Sequence, residues 1–392
     1  MNDIYTLIKF LFKIIFIKKK KFLPKKSDIV VFGQEFSEKL SKILLGHKNY
    51  TILPASNEEP IYLGILFKCI LNYKKNLLEN YQVLFLKHVK AKFLLNWHDD
   101  YLNLSKATKL ANVKSIYIQN GIRDEYVFKN KNEIYNIDHY LVHTESWANF
   151  AKKNIKCNFH HNGSIRNNLF SLPILKRVKR IQLISHYKER NKIRTLKKNE
   201  RGHQENWEID IKKSLEIMSN IILKFANKYN LEAEVLLRRR GRSIEENNFF
   251  KSLGFKIKFN KYSKVEHWKQ NYIKAAEDAI IVGDSFDTLS YELLSRKFRV
   301  AFFSARYLLT KNRNFLFDWP KKYKKSGFFW TNNPVEKEMN KILENLMKVK
   351  EDDWQKRLVL FNHIVKYDHN NYKTKKLLSK LGMKINKKKS ND

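Results

Sequence analysis

The sequence predicts an α/β fold made of two doubly wound parallel sheets, each with helices on both faces. Three observations carry this. Short runs rich in Ile, Val and Phe recur along the chain, a stretch of helical character follows most of them, and the runs are continuously apolar, as strands buried on both faces require. A chain of 392 residues has room for two such domains with full cores.

In the first domain, residues 28–33 read as a short apolar strand closed by Gly33, followed by a helix over about 35–45. A strand at 50–53, a helix over about 60–79, a strand at 92–96 and a helix over about 101–110 continue the alternation, and strands at 114–118 and 138–143 complete it. The pattern breaks near Leu172-Pro173, which sets the hinge there. A fresh strand at 180–185 opens the second domain. A long helix over 204–229, a strand at 233–237, a helix over 244–253 and strands at 255–259 and 278–283 follow. A helix over 288–295 and a strand at 298–303 complete that core, and the pattern beyond Pro334 is helical. The expected divisions are therefore an N-terminal segment 1–26, domains 27–172 and 173–370, and a basic tail 371–392 that frays at its end.

Composition narrows the partners. The chain carries 78 Lys+Arg against 39 Asp+Glu, a net charge of +39, yet 43% of its residues are hydrophobic, which excludes intrinsic disorder for most of it. Such a charge concentrates anions near the surface, whether lipid head groups, nucleic acids or phosphorylated ligands. Lys, Asn and Ile are spread everywhere, so a single Lys run is a weak signal. The basic run Arg238-Arg239-Arg240-Gly241-Arg242 and the net charge are all that favour nucleic acid; no recognition module accompanies them, and no nucleic-acid partner is expected. Cys69 and Cys157 lie far apart without CxxC or paired His spacing, so neither a disulfide framework nor a zinc site is expected, and the compartment reads as a reducing cytoplasm.

Residues 4–17 are almost wholly apolar, interrupted by Thr6, Lys9 and Lys13, and end in Lys18-Lys19-Lys20-Lys21. The run is shorter than the roughly 20 residues that span a bilayer, and its lysines follow the apolar stretch, opposite to a cleaved secretory signal. Lys9 and Lys13 share one helical face. The segment reads as an amphipathic helix on an anionic membrane surface, or as one packed on the protein's own core or in an oligomer.

Ligands of doubly wound sheets bind at the carboxyl ends of the strands, so the loops there are the candidate sites. After 278–283, Gly283 and Asp284 lead into a helix start at Ser285 and Thr288, whose free N–H groups and positive dipole end suit a phosphate; Glu292, a turn further on, suits the two hydroxyls of a ribose. A plain capped helix satisfies the same pattern. Asn96-Trp97-His98-Asp99-Asp100 is a titratable cluster directly after a strand, where Asp99 or His98 suits a general base and either aspartate could cap the next helix. Gln119-Asn120-Gly121 ends the strand at 114–118 as a turn, with Arg123 and Asp124 on the same loop.

In Tyr117-Ile-Gln-Asn-Gly-Ile-Arg123, Gly163-Ser-Ile-Arg-Asn167, Leu183-Ile-Ser-His186 and Asp284-Ser-Phe-Asp-Thr-Leu-Ser-Tyr-Glu292, over most of residues 90–305, the sequence resembles surface-carbohydrate biosynthesis proteins of GT-B glycosyltransferase type, distantly similar to CDP-glycerol glycerophosphotransferases. The resemblance implies two Rossmann-like domains facing a central cleft. It implies glycosyl transfer from a nucleotide-activated sugar to a lipid-linked or growing surface glycan by a peripheral protein at the cytoplasmic membrane face, with no cofactor and no metal. Gln119, Asn120, Gly121, Arg123 and Asp124 would then serve the acceptor. Ser185, His186, Arg238, Arg239, Gly283, Asp284, Ser285, Thr288 and Glu292 would serve the donor, with direct displacement by inversion and Asp99 as base. The sequence departs from the pattern where a glycine-rich donor loop is expected, because the basic stretch 188–201 stands there. A glycerophosphate-type polymer transferase of the same fold, a basic nucleic-acid-binding protein and a non-catalytic membrane scaffold are the competing readings.

Overall fold

The structure is a computed structural model. It describes residues 19–33, 41–46, 50–55, 59–72, 76–123, 132–187, 204–237, 244–258, 277–284, 288–310, 326–361, 366–383 and 385. Residues 1–18 and 188–203, with most of the expected amphipathic segment 1–26 and the whole basic stretch 188–201, lie outside the described residues, as do Asp124, Arg238, Arg239 and Ser285. The chain divides into two compact units, Met1–Leu169 with Asp368–Asp392, and Phe170–Tyr367.

In the first unit the strands are β1 (Lys20–Lys21), β2 (Ile29–Phe32), β3 (Thr51–Leu53), β4 (Ile61–Tyr62), β5 (Phe93–Asn96), β6 (Lys114–Ile118), β7 (Tyr135–Val142) and β8 (Ile155–His161). The helices are α1 (Leu63–Leu71), α2 (Leu77–Val89), α3 (Leu104–Ala111) and α4 (Glu145–Ala151). Six strands form one parallel sheet in the order β3-β2-β5-β6-β7-β8, and β1 pairs separately with β4. Alternate residues sort to opposite faces, as the pleat dictates. Val30, Phe32, Leu94, Tyr117 and Tyr140 pack with Phe85, Leu86 and Ala107 of the helices on one face. Ile29, Val31, Leu95, Ile116 and Leu141 pack with Leu44, Leu45 and Trp97 on the other.

That second face is completed from the far end of the chain. The stretch expected as a basic tail instead forms a helix, Tyr372–Lys380, which places Leu378 against β2, β5 and β6 together with Met383. Three asparagines and an aspartate latch it. Asn168 Nδ2 donates to Asn162 O (3.0 Å) and to Asn371 Oδ1 (2.9 Å), and Asn371 Nδ2 donates to Ile165 O (2.9 Å). The Asp368 carboxylate accepts from Lys373 N and Thr374 N at the helix start, satisfying N–H groups that no turn precedes. Lys373, Lys376 and Lys380 of this helix are exposed and only Thr374 and Leu378 are buried, a weak apolar signal in the sequence.

Two further differences are local. The helix expected over about 60–79 is two helices, because Asn76 caps a new start: its side chain accepts from Glu79 N (3.2 Å). Strand β8, which the sequence pattern does not mark, is an edge strand with half-exposed residues, so it lacks the continuous apolar run of its neighbours.

The second unit holds β9 (Arg180–Ile184), α5 (Gln204–Tyr229), β10 (Glu232–Leu236), α6 (Ile244–Ser252), β11 (Lys256–Lys258) and β12 (Ala279–Gly283). After them come α7 (Thr288–Ser295), β13 (Val300–Phe303), α8 (Ala305–Thr310), β14 (Trp330–Thr331), α9 (Glu336–Lys348) and α10 (Glu351–Val359); the returning helix of the first unit is α11 (Tyr372–Lys380). All neighbours in the sheet run parallel in the order β11-β10-β9-β12-β13-β14, which in chain order is the 3-2-1-4-5-6 arrangement of a Rossmann sheet. Leu215, Met218, Ile222 and Phe225 of α5 and Met339, Ile342, Leu343 and Leu346 of α9 are buried, one apolar stripe on each helix. Among the described residues, no helix is long and apolar enough to cross a membrane.

Candidate functional site

Strand order locates the crevices. In the first unit the chain steps outward from β2 to β3 and then returns to β5 on the opposite side, so the switch point lies between the carboxyl ends of β2 and β5. Gly33 follows β2 at φ 123°, a backbone region that strains any side chain. Opposite it, His98 is half-buried, edge-on to Phe32 with ring centroids 5.8 Å apart, while Tyr101 stacks on the same Phe32 at 5.3 Å. The Asn96 side chain accepts from His98 N (2.8 Å), which fixes the loop that carries the imidazole.

Asp99, the next residue, is wholly buried. Its carboxylate accepts from Asn120 N (3.1 Å), Arg123 Nε (2.9 Å), Arg123 Nη2 and Tyr140 OH (2.8 Å). Four donors occupy all the lone-pair sites of an ionised carboxylate. Of the expected acceptor residues, Asn120 and Arg123 thus come together with the expected base as partners in one cluster. Burial lowers the Arg123 pKa, but the Asp99 hydrogen bonds and charge outweigh it and hold the guanidinium protonated above its ordinary value. Burial, then Asp99, push the Tyr140 hydroxyl well up, so it stays a donor.

Gln119 is buried and acts as a staple. Its Nε2 donates to Gly121 O (2.8 Å) and its Oε1 accepts from His143 N (2.6 Å), tying the β6 turn to the end of β7. Both ends of the amide are thereby engaged within the protein. His143 itself titrates at about 3, because burial and then the Arg166 and Arg123 charges disfavour the imidazolium.

In the second unit the switch point lies between β9 and β12. From β9, Ser185 N donates to Leu236 O (2.9 Å), Ser185 Oγ donates to Glu246 Oε1 of α6, and Tyr187 N donates back to Ser185 Oγ (3.1 Å). His186, between Ser185 and Tyr187 in the chain, is half-buried. From β12, Gly283 is buried in the strand and Asp284 follows, its Oδ2 accepting from Arg306 Nε at 2.7 Å with both side chains almost fully buried. Thr288 begins α7 half-exposed, and Glu292, four residues on, lies on the same helical face and is buried.

Sequence reasoning did not find Tyr140, Arg306 or Glu246, because each reaches its partner across a strand or helix remote in sequence. The one available signal was Ser304-Ala305-Arg306, a charged residue just beyond the end of an apolar strand. Among the described residues, no group of three or more His, Cys, Asp or Glu side chains could hold a metal ion.

Two parallel doubly wound sheets in one chain, each with polar clusters at its strand ends, define the class: a protein of two Rossmann-like units. Within that class the chain belongs to the family described as "putative O-antigen biosynthesis protein", whose model matches residues 116–382, more than half of its length. No curated protein sequence matches it. Among solved structures it is similar to UDP-GlcNAc 2-epimerase from Methanocaldococcus jannaschii in complex with UDP-GlcNAc and UDP, at 11% identity and a TM-score of 0.48 over 90% of this chain and 99% of that one. It is also similar to sucrose-phosphate synthase from Thermosynechococcus elongatus, at 10% identity and a TM-score of 0.46 over 93% and 99%. A glycosyltransferase from Rickettsia africae matches at 11% identity and a TM-score of 0.45 over 91% and 98%.

Proposed function

We propose that this member of the O-antigen family is a glycosyltransferase that moves a sugar from a nucleotide-activated donor to a lipid-linked or growing surface glycan. The single observation that carries the reading is the second unit's switch point, where β9 and β12 end side by side and α7 begins immediately beyond. Such a crevice suits a nucleotide: the positive dipole end of a helix start favours a phosphate, and Glu292 one turn in suits ribose hydroxyls. Ser285, Arg238 and Arg239 would add donors to the departing diphosphate without a metal.

In the first unit we assign the base to His98 and positioning to Asp99. A general base needs a free lone pair within reach of the acceptor hydroxyl. Asp99 has its four acceptor sites filled and is sealed from solvent, whereas His98 stands half-buried at the switch crevice. Asp99 would act by holding Arg123 and the Asn120 backbone in place beside the acceptor. In the first unit His98 would take the proton of the acceptor hydroxyl; in the second unit, taken by itself, the positive dipole end of α7 suits the leaving phosphate.

Thermal stabilisation by UDP, GDP, CMP and CDP tests the reading, since a ligand bound by the folded state alone raises the melting temperature by mass action. One of the four is expected to stabilise the wild type, and Glu292→Gln is expected to weaken that effect. Stabilisation by none, or an equal response from Glu292→Gln, would count against the assigned crevice.

A further inference from the structure

The helix α1 has the sequence Leu-Gly-Ile-Leu-Phe-Lys-Cys-Ile-Leu, apolar nearly all round. A soluble helix of this kind is normally enclosed. Here Ile65, Leu66 and Cys69 face the core, but Leu63, Phe67 and Leu71, spaced four apart on the opposite face, stand in the open, Phe67 at 62% and Leu71 at 68% exposure. Phe22, 74% exposed, and Leu23 lie beside them, brought close because Gly64 N donates to Phe22 O (2.8 Å) and a Cβ on Gly64 would sit 2.8 Å from Leu23. The result is a groove of about 540 Å³ whose walls are apolar and whose one charged lining residue, among the described residues, is Lys68.

Cations surround it. Lys20 and Lys21 precede Phe22, Lys25 and Lys26 follow Leu23, and all four are exposed. Lys68 and Lys26 are near enough to His88 to lower its pKa, in addition to burial, which places them on one edge of the unit. An apolar strip inside a lysine rim matches the layering of an anionic bilayer, acyl chains beneath phosphates. A second copy of the chain fits poorly, because a two-fold contact would set each lysine against its own image. Residues 1–18 carry Lys9, Lys13 and Lys18 of the same sign.

We propose that the Phe22–Leu23 and Leu63–Phe67–Leu71 surface, with its rim of lysines, docks the protein on an anionic phospholipid bilayer. Phe22, Phe67 and Leu71 enter the head-group boundary while Lys20, Lys21 and Lys68 engage lipid phosphates. The docking rests on the transferase reading for its purpose, the capture of a lipid-linked acceptor, but not for its physics.

The test is co-sedimentation of the full chain with phosphatidylcholine vesicles, with and without phosphatidylglycerol. The wild type is expected to sediment with the anionic vesicles. Phe67→Ser/Leu71→Ser and Lys20→Glu/Lys21→Glu/Lys68→Glu are each expected to lose about tenfold or more in apparent affinity. Phe67→Trp keeps the surface apolar, and the emission of the added indole, read as the difference from wild type, should shift to the blue on anionic vesicles. Equal binding by the variants, equal binding to neutral vesicles, an unshifted difference emission from Phe67→Trp, or a wild-type dimer that Phe67→Ser/Leu71→Ser dissociates would each overturn the proposal. Nucleotide stabilisation is read without vesicles, so a failure there would strike the transferase reading and leave this one standing.

Discussion

The two units repeat one device and use it differently. In each, an aspartate just past a strand end pairs with an arginine supplied beyond the neighbouring strand: Asp99 after β5 with Arg123 after β6, and Asp284 after β12 with Arg306 after β13. Both carboxylates are buried. The arginines differ, since the Arg123 side chain keeps 22% of its surface exposed and Arg306 only 3%. The first pair therefore presents a charge that a ligand can still reach, whereas the second is closed and holds the β12–β13 strand ends in register. A shared motif marks a strand-end site in both units, but exposure decides which arginine is open to chemistry.

The largest effect expected of a test is kinetic. His98→Gln should lower transfer by about 10²–10⁴-fold with an unchanged melting temperature, checked by turnover of the nucleotide sugar found to bind; near wild-type turnover would return the base role to another residue. Next comes the closed pair: Arg306→Met takes the guanidinium away from a buried carboxylate, and a loss of about 3–5 kcal/mol in denaturant unfolding is expected. A loss below about 1 kcal/mol would mean that the pair behaves as an exposed surface bridge and would erase the contrast. Arg123→Met, which removes the more exposed of the two arginines, should cost less stability than Arg306→Met. Leu378→Ala should destabilise the first unit by about 2–5 kcal/mol, as expected of a leucine deleted from a core, and a change near zero would show that α11 does not pack there.

The last test is a pH dependence that arises in the first unit. His143 titrates at about 3 when folded, against about 6.5 for a free imidazole. Between those values the unfolded chain binds the extra proton, so stability is fully present above about pH 6.5 and falls as pH drops toward 3, by at most about 1.4 kcal/mol per pH unit. His143→Gln should flatten that slope in acid unfolding curves. An unchanged slope would place the acid sensitivity elsewhere.

Most of the strands were legible because each is a continuous apolar run, and α5 and α7 were legible to the residue at both ends because strong periodicity and flanking breakers mark them. Strand β8 was not, since an edge strand mixes exposed and covered positions. The site loops were legible as places: the residues after β5, β6, β9 and β12 stand where chemistry collects in such sheets. Their roles were not. Asp99 looked like a base because it is a carboxylate on a strand-end loop, and the three groups that occupy it lie 21 to 41 residues further on. Gln119 looked like a ligand group, yet both ends of its amide serve the β6–β7 join.

By itself the sequence determined the local matters: the order of strands and helices, the positive charge, and the loops able to carry catalysis, because hydrophobic periodicity and turn chemistry act over a few residues. Only the tertiary structure decided which carboxylate is saturated, which arginine is sealed, that α11 folds back into the first unit, and that one side of α1 is left bare. Those outcomes depend on solvent exclusion by groups distant along the chain, and exclusion is a property of the packed whole.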